Sequence, residues 1–355
     1  MKPLKGITVI DLSRLLPGGF ASTLLLELGA RVIKVEQPGV GDYYRAVKNP
    51  EGVRGVDDLT GGRQVDILNN GKESLGLNLK SEEGLVLFKK LVKKADVVIE
   101  NFRPGVLKKI GLGYPVLKKI NPRIILCSIT GAGQTGPLSH LAGHDLNYLA
   151  ACGLLTKIRD AQGRLVIPDF QIIDLASAME AVNRIEAALL QRYLKKTKKP
   201  QGVWLDCSMT EAGRSLARLY SRRTDRFFLG DGLLRYGIYE TSDKKHMAFA
   251  PLEPKFWDKF CQRIGHPDWS QEMGPFQFED PQKHETLRKI FKSKSFKEWT
   301  RIADEDDVCL SPVEEVPEPP IQSAPPLGQH TNKILRSLGY SPSQIRFLKK
   351  QNVVQ

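Results

Sequence analysis

Two side chains in the sequence have the chemistry to move protons near neutral pH. His144 lies in the segment 143–148 (GHDLNY), and Asp174 lies at the start of a stretch with helical apolar spacing. A histidine titrates close to neutral pH, and an acid at a helix start lies beside unpaired backbone N–H groups that could also hold an oxyanion. Each residue also has a structural explanation, as a histidine beside a glycine or as a helix N-cap. The local sequence leaves both interpretations open.

Two further acids stand at positions that could carry chemistry. Glu36 ends a predicted strand, where dinucleotide-binding folds place an acid that binds the ribose. Glu253 stands between Pro251 and Pro254. A surface or loop position is the ordinary explanation for the first acid, and a turn position for the second.

The glycine-rich segment 131–136 (GAGQTG) fits the GxGxxG pattern and follows a predicted strand. Pro137 follows at once and no clear crossover helix comes next, so the segment predicts a glycine turn that exposes backbone N–H groups rather than a dinucleotide site. The six histidines are dispersed without HExxH spacing, and the five cysteines stand singly without CxxC. We therefore expect free thiols, no metal site and no nicotinamide cofactor.

The composition favours an anionic partner. The chain has 355 residues, is 41% hydrophobic and carries a formal net charge of +13, which suits a nucleic acid, a membrane surface or a phosphate-bearing small molecule. Its short lysine runs lack the interleaved aromatic residues of a single-strand binding surface, so we expect solvated helix faces and no nucleic acid. Neither a signal peptide nor an apolar stretch of about 18 to 20 residues is present. A cytoplasmic protein without a membrane partner is expected.

The hydrophobic spacing predicts an α/β domain followed by a smaller α+β domain. Strands are predicted at residues 7–12, 31–36, 96–99 and 123–129, and helices at 21–28, 82–94, 106–120 and 174–196. The alternation predicts a largely parallel sheet, with the loop near Pro17 as a candidate phosphate site. Antiparallel strands are predicted at 236–241 and 246–251, and a proline-rich connection at 312–326.

Many segments, taken in order along the chain, resemble the family III CoA transferase and α-methylacyl-CoA racemase superfamily. The resemblance covers nearly the whole chain and is most like the racemase branch. The segments that carry it are 4–7 (LKGI), 11–13 (DLS), 29–36 (GARVIKVE), 78–80 (NLK), 96–105 (DVVIENFRPG), 111–114 (GLGY), 121–123 (NPR), 131–137 (GAGQTGP) and 327–331 (LGQHT).

This resemblance implies a Rossmann-like large domain, a small domain and a homodimer of two interlocked ring-like chains. We expect a large CoA-binding domain at residues 1–190, a helical linker at 191–224, the small domain at 225–311, and a return connection with C-terminal helices at 312–355. The resemblance places the CoA nucleotide against Pro17, Asn69, Gly71, Leu75, Asn101 and Arg103. Gln37 replaces an arginine that racemases often carry, so one nucleotide contact is expected to be missing.

The resemblance also implies roles for the candidate acids and the histidine. Both branches keep the aspartate that Asp174 matches, as a nucleophile that forms acyl anhydrides in transferases and as a proton donor and acceptor in racemases. The histidine of the 143–148 segment is typical of racemases, so His144 favours that branch. Residues 239–254 are similar to the racemase segment whose acid supports the histidine, which implies that role for Glu253.

We therefore predict a 2-methylacyl-CoA racemase that needs no cofactor beyond the CoA of its substrate. His144 and Asp174 would serve opposite faces of the α-carbon, and N–H groups at the start of the Asp174 helix would receive the enolate oxygen. The alternatives are a transferase with Asp174 as nucleophile, and a non-catalytic CoA-binding member of the family. The connection at 316–326 is shorter than in most relatives, which could change how Glu253 reaches His144.

Overall fold

The computed structural model describes residues 1–45, 66–160, 162–194, 201–220, 233–270, 281–317 and 324–355. The chain divides into two compact units, Met1–Tyr220 with Pro320–Gln355, and Ser221–Pro319. Within the described residues, no helix is both long and apolar enough to cross a membrane.

Nine strands and twelve α-helices lie within these ranges. The strands are β1 (Thr8–Asp11), β2 (Arg31–Glu36), β3 (Glu73–Gly76), β4 (Val97–Glu100), β5 (Ile125–Thr130), β6 (Trp204–Ser208), β7 (Gly237–Glu240), β8 (His246–Phe249) and β9 (Leu310–Pro312). The helices are α1 (Leu16–Glu27), α2 (Glu82–Val92), α3 (Val106–Lys109), α4 (Tyr114–Ile120), α5 (Asp145–Ala151), α6 (Ile172–Leu194), α7 (Met209–Ala217), α8 (Pro254–Arg263), α9 (Pro281–Lys292), α10 (Phe296–Glu305), α11 (Thr331–Ser337) and α12 (Pro342–Lys350).

The first unit is built on a six-stranded sheet in the order β3-β2-β1-β4-β5-β6. Every strand pair in this sheet is parallel. This is the strand order of Rossmann folds, and it confirms the predicted α/β class. From β1 the strand order continues to β2 and β3 on one side, and β4, β5 and β6 lie on the other side. The loops that follow β1 and β4 therefore meet at the carboxyl edge of the sheet. Ligands of such folds bind at this edge.

Apolar layers cover both faces of the sheet because successive strand residues point to opposite sides. In β1, Ile10 packs with residues of α2, α4, α11 and α12, while Val9 packs with residues of α1, α5 and α6. Both side chains are fully buried. The sheet is therefore held between two helical layers, and α6 belongs to the layer that also contains α1.

Helix α1 begins earlier than the sequence predicted. It starts at Leu16 rather than at residue 21, with Pro17 inside its first turn. Proline is tolerated there because the first N–H groups of a helix have no intrahelical acceptor. Gly18 is needed for close approach, since a Cβ at this position would lie 2.2 Å from Cβ of Ser13. A segment interpreted as a break after the strand is thus the first turn of the helix.

Three other elements differ from their predictions. Strand β3 was not predicted, because its four residues (ESLG) lack a run of β-branched side chains. The stretch 106–120 forms two helices, α3 and α4, separated by Gly111 and Gly113. Helix α6 begins at Ile172, so Asp174 is the third helical residue and not the N-cap.

The second unit contains an antiparallel sheet of three strands in the order β7-β8-β9. The predicted hairpin is confirmed, with Tyr239 opposite Met247. Strand β9 was not predicted, because its three residues lie where the proline-rich connection begins. The sheet packs on a cluster that includes the fully buried side chains of Trp257, Phe260 and Trp299.

Candidate active site

One cavity of about 580 Å³ lies at the carboxyl edge of the parallel sheet. The loop after β1 contributes Arg14, and the loop after β4 contributes Asn101 and Arg103. The same cavity is lined by His144, at the start of α5, and by Asp174, in the first turn of α6. The two side chains predicted to carry protons therefore share one cavity, although 30 positions separate them in the sequence.

Asn101 connects the two loops at the reversal point of the sheet. Its Oδ1 accepts a hydrogen bond from the Arg14 N–H at 2.8 Å, and its Nδ2 donates to the Arg14 carbonyl at 2.7 Å. The Arg14 guanidinium in turn donates to the Tyr43 hydroxyl at 2.7 Å. Asn101 thus fixes the position of the loop after β1, and its side-chain amide is already bound to backbone.

Asp174 lies in a half-buried position beside a second carboxylate. Asp145 Oδ1 accepts hydrogen bonds from the backbone N–H groups of Ile173 at 2.6 Å and of Asp174 at 2.9 Å. Burial, with a smaller contribution from the charge of Asp145, raises the pKa of Asp174 to about 7. Asp174 can therefore exist in both protonation states near neutral pH.

These hydrogen bonds change the predicted position of the oxyanion site. The N–H groups of Ile173 and Asp174 were expected to receive the enolate oxygen, but both donate to Asp145. A substrate oxygen would have to displace a carboxylate to reach them. The prediction that the start of the Asp174 helix holds the oxyanion is therefore not supported.

His144 is an exposed residue immediately before α5. Its carbonyl accepts from the Asn147 N–H at 2.8 Å, and Asn147 Oδ1 accepts from the His144 N–H at 3.0 Å. These two bonds hold the backbone of the histidine at the helix start. His144 also lines the large cavity.

Tyr148 stands between two glycines and lines the same cavity as His144 and Asp174. A Cβ at Gly131 would lie 2.5 Å from the Tyr148 ring, and a Cβ at Gly143 would lie 3.0 Å from it. The Tyr148 hydroxyl donates to the Gly143 carbonyl at 2.7 Å. Burial raises the pKa of Tyr148, Asp174 raises it further, and Arg103 opposes both effects. The glycines at 131 and 143 are therefore required by the position of this ring.

The glycine-rich segment 131–136 is a turn held by the protein itself. The Gln134 N–H donates to both carboxylate oxygens of Asp206, at 3.1 and 2.9 Å. The Gly131 carbonyl accepts from the N–H and the hydroxyl of Thr210. The turn is present as predicted, but its Gln134 N–H group is bound to a carboxylate and is not exposed to a ligand.

A second cavity, of about 310 Å³, lies on the other side of the pair. His144 and Asp174 line it together with Asp145, Gln171 and four apolar residues, Leu146, Ile167, Pro168 and Phe170. No lysine or arginine is among these described lining residues. The two candidate residues therefore stand where a polar cavity meets a mainly apolar one.

A third cavity, of about 260 Å³, lies between the loops after β1, β2 and β4. Its lining is largely apolar, with Phe102, Val106 and Ile110 on one side and Leu77 and Leu79 from the residues after β3. Gln37, Arg14 and Lys80 also line it. A narrow apolar slot with basic residues at its edge suits a planar base that carries phosphates.

Buried charges hold the loops that form this slot. Lys34 Nζ lies 2.8 Å from Asp42 and 3.4 Å from Asp11, and Lys72 Nζ lies 3.3 Å from Asp11. Burial opposes ionisation of Asp11, but the two lysines and hydrogen bonds from Ser13 and Ser22 lower its pKa to about 2. These charges are paired with one another, so they stabilise the loops and are not available to a ligand.

Glu36 does not have the position that the sequence predicted. It is buried, with 4% exposure, and its carboxylate binds the Arg45 guanidinium through two hydrogen bonds of 2.6 and 3.1 Å. Ser74 Oγ donates to the same carboxylate at 2.7 Å. Glu36 is therefore not a surface acid, and it lines the third cavity as a carboxylate paired with Arg45. It is an ion-paired residue beneath the loop after β2.

Three residues predicted to contact the nucleotide do not line these cavities. Leu75 is completely buried in β3, and its side chain belongs to the hydrophobic core, so a side-chain contact with a ligand is excluded. Asn69 is buried, with its side-chain Nδ2 donating to Asp66. Gly71 has φ +73° in the turn before β3. By contrast, Pro17, Asn101 and Arg103 line the large cavity, and their contact with the CoA nucleotide stays a prediction.

Glu253 belongs to the second unit. It is exposed and directly precedes Pro254, the first residue of α8. Its carbonyl accepts from the N–H groups of Phe256 and Trp257. The position agrees with a turn residue at a helix start, and the proposed support of His144 by Glu253 stays a prediction.

Some site residues were not identified from the sequence. Asp145 and Tyr148 both lie in the 143–148 segment, but nothing near them shows that one binds the start of α6 and the other packs on Gly131. Arg14 follows the end of β1, and the rule that ligands bind beyond the carboxyl ends of parallel strands at the reversal point would have identified it.

The comparisons with known proteins agree with this architecture. The profile of CoA-transferase family III matches residues 4–330. The α-methylacyl-CoA racemase of Homo sapiens is 30% identical over 399 residues, which cover 99% of this chain and 97% of the relative. The succinyl-CoA:glutarate CoA-transferase of Mus musculus is 42% identical over 209 residues, which cover 59% of this chain and 46% of that relative.

A solved structure has the same fold. The crystal structure of a CAIB/BAIF family protein from Brucella suis matches with a TM-score of 0.75 and 24% sequence identity, over 95% of this chain and 99% of the other. Because the profile match extends over most of the chain and the racemase match over nearly all of it, the chain belongs to CoA-transferase family III, which has both racemase and CoA-transferase relatives.

Proposed function

We propose that this protein racemises 2-methylacyl-CoA thioesters by proton removal and return at the α-carbon. The observation that carries the proposal is that His144 and Asp174 line the same two cavities, with the pKa of Asp174 raised to about 7. A catalytic acid–base group works best when its pKa is close to the working pH. The full-length similarity to a racemase supports the same reaction.

The reaction needs one group on each face of the α-carbon. In one direction, neutral His144 takes the α-proton, the C–H electron pair forms the C=C bond of an enolate, and protonated Asp174 returns a proton to the opposite face. In the other direction, ionised Asp174 is the base and the imidazolium of His144 is the acid. The active pair carries one proton in both directions, so no other reactant is consumed.

The enolate oxygen needs hydrogen-bond donors close to the α-carbon. The first turn of α5 begins directly after His144, and the N–H groups of Asp145 and Leu146 precede the first intrahelical bonds, which run from Asn147 and Tyr148 to the His144 carbonyl. The first N–H groups of a helix have no carbonyl one turn before them. We propose them as donors, in place of the N–H groups of α6.

The three cavities fit the three parts of an acyl-CoA. The apolar slot beside Lys80 and Gln37 would take the adenine nucleotide, and the large cavity beside Pro17, Asn101 and Arg103 would take the pantetheine arm. The cavity lined by Ile167 and Phe170 would take the acyl group. Because the described lining of that cavity has no lysine or arginine, an apolar acyl group fits it better than a dicarboxylate.

The test uses one epimer of a 2-methylacyl-CoA in deuterium oxide. We expect the wild type to exchange the α-proton and to form the other epimer. Replacing His144 or Asp174 by alanine should slow epimer formation by about 10²- to 10⁴-fold, the usual contribution of a general acid or base. Absence of exchange by the wild type on every branched acyl-CoA tried would contradict the racemase function.

CoA transfer is the alternative, and the 42% identity to a CoA-transferase over 59% of the chain favours it. In that reaction the Asp174 carboxylate would attack the thioester carbonyl, and the C–S bond would break to give an anhydride and free CoA thiolate. Hydroxylamine trapping of an acylated Asp174, dependent on an acyl-CoA, would support transfer. A protein that binds CoA with neither activity would be a non-catalytic member of the family.

We also infer that the chain forms an interlocked homodimer, as the family resemblance implies. Large apolar side chains stay exposed on the single chain, including Ile167, Tyr193 and Leu194, at 71%, 82% and 64%. Burying such side chains is the usual role of a subunit interface. Light scattering coupled to size exclusion should give twice the chain mass, and a monomer at all concentrations would exclude the interlocked form.

A further inference from the structure

Asp145 is bound to the first turn of the helix that carries Asp174. One oxygen, Oδ1, accepts both the Ile173 N–H at 2.6 Å and the Asp174 N–H at 2.9 Å. The two aspartates come from different helices, α5 and α6, and 28 positions separate Asp145 from Ile173. The contact is therefore made by the tertiary structure and not by a local helix cap.

The start of a long helix ordinarily favours an ionised acid. Helix α6 has 23 residues, and Asp174 is the third. Free N–H groups and the helix dipole place partial positive charge in this turn, which stabilises a carboxylate and weakens its hold on a proton. Such a position lowers the pKa of an acid. A residue that must return a proton at neutral pH therefore needs another group to offset the positive charge.

We propose that Asp145 is a positioning residue that lets Asp174 hold a proton near neutral pH, because it occupies the N–H groups of the helix start and places a like charge beside Asp174. The inference rests on the proposed role of Asp174 as a proton carrier. The charge of Asp145 contributes to the raised pKa of Asp174, after the larger contribution of burial. Asp145 need not touch the substrate to have this effect.

Other ionisable groups face Asp174 from the neighbouring elements. Among the described residues that line the two cavities, they are His144, Tyr148, Arg103, Arg14 and Tyr43. On the adjoining β6 and α7, Asp206 is bound to the Gln134 N–H and Glu211 is paired with Arg214. Only Asp145 places a carboxylate on the N–H groups of Ile173 and Asp174 within the described part of the chain.

The first test measures stability and does not depend on activity. The free energy of unfolding is measured against pH for the wild type, Asp174→Asn, Asp145→Asn and the double variant. Because Asp174 resists ionisation in the folded chain, Asp174→Asn should become more stabilising as pH rises from about 4 to 7. Asparagine at 145 keeps an acceptor oxygen for the two N–H groups but removes the charge. In the Asp145→Asn background, Asp174→Asn should raise the free energy of unfolding by a smaller amount. The increase should reach its full size about one pH unit lower than in the wild-type background.

The proposal would be overturned if Asp174→Asn raised the free energy of unfolding by the same amount, over the same pH range, in the Asp145→Asn background as in the wild type. Asp145→Ser, which also offers a neutral acceptor, gives the same comparison if the asparagine variant folds poorly. Asp160→Asn is the matched control, because Asp160 is paired with Arg164 and lines neither cavity that contains Asp174. The effect of Asp160→Asn on the free energy of unfolding should be equal in the wild-type and Asp174→Asn backgrounds.

The second test uses the reaction. In Asp145→Asn, the pH limb of α-proton exchange that depends on Asp174 should move to lower pH by about one unit, while the affinity for CoA stays unchanged. A purely structural role for Asp145 would lower activity at every pH without moving the limb. If the wild type shows no exchange at all, the proposed function fails, and the stability comparison still decides the role of Asp145.

Discussion

The side-chain amide of Asn101 binds the backbone of Arg14 through two hydrogen bonds, of 2.8 and 2.7 Å. Asn101 follows β4 and Arg14 follows β1, the two strands between which the order of the parallel sheet reverses. The loops on either side of this point line the large cavity. A single side chain therefore fixes the loop whose Arg14 lines both the large cavity and the apolar slot.

Replacing Asn101 by alanine should weaken both the fold and the binding of CoA. The Arg14 N–H and carbonyl would lose their partners, which should lower the free energy of unfolding by about 1 to 2 kcal/mol. The displaced loop should reduce CoA affinity about tenfold. Titration calorimetry measures the affinity for CoA, and chemical unfolding measures the free energy of unfolding.

Asn121→Ala is the matched control for this change. Asn121 also uses its amide to bind backbone carbonyls, those of Val92 and Ala95, but it does not line the described cavities. We expect a similar loss of stability with no change in CoA affinity. Equal losses of affinity in the two variants would show that Asn101 acts only through global stability.

The protonation of Asp174 should be visible when His144 is removed. In His144→Ala, only the epimer whose α-proton faces Asp174 should exchange in deuterium oxide, without forming the other epimer. Asp174 must be ionised to act as the base, so this exchange should be slow at pH 5 and should rise as pH increases through about 7. Proton NMR of the α-position follows the exchange. Exchange of both epimers at equal rates would exclude a single remaining base.

Phe170 should control the preference for the acyl group. Phe170→Ala removes an apolar wall of the cavity beside Asp174, and should lower kcat/KM for a long branched acyl-CoA by about tenfold to 100-fold, with little change for a short one. Leu165→Ala is the control, because Leu165 is also exposed, at 52%, but does not line the cavity. If both substitutions change the chain-length preference equally, the cavity is not the acyl site.

Glu100 should make the protein less stable as the pH rises. The side chain is 3% exposed, and burial raises its pKa from 4.5 to about 7. The folded chain therefore binds more protons than the unfolded chain between about pH 4.5 and 7, so stability falls over this range and is level above it. Glu100→Gln should be more stable than the wild type above pH 7, by roughly 2 to 3 kcal/mol.

Glu36→Gln should have the opposite effect. Glu36 is 4% exposed, but its carboxylate is paired with Arg45, so the substitution removes the nearest charged partner of the guanidinium. We expect a loss of roughly 2 kcal/mol or more at neutral pH. Chemical unfolding of Glu36→Gln and Glu100→Gln at pH 5 and pH 8 measures these two opposite effects on the free energy of unfolding. A destabilising Glu100→Gln at pH 8 would show that the carboxylate of Glu100 is compensated in the folded chain.

The amino-acid sequence by itself determined the class of fold and the family, and it made His144 and Asp174 the candidates for the site. The βαβ alternation predicted the parallel sheet, because hydrophobic spacing reports which side of an element is buried and needs no knowledge of its neighbours. Segments spread along the chain carried the family resemblance, and within it the 143–148 segment favoured the racemase branch. Both residues line one cavity, as that resemblance requires.

Only the tertiary structure decided how the surroundings of these residues control their chemistry. Glu36 was expected at the surface and is buried against Arg45, and Leu75 was expected at the nucleotide and is in the core. The start of α6 was expected to bind an oxyanion, but Asp145 occupies it. Each of these outcomes depends on which charged or polar group a distant segment brings within hydrogen-bond range. Local spacing does not encode that distance, whereas burial and Coulomb interactions depend directly on it.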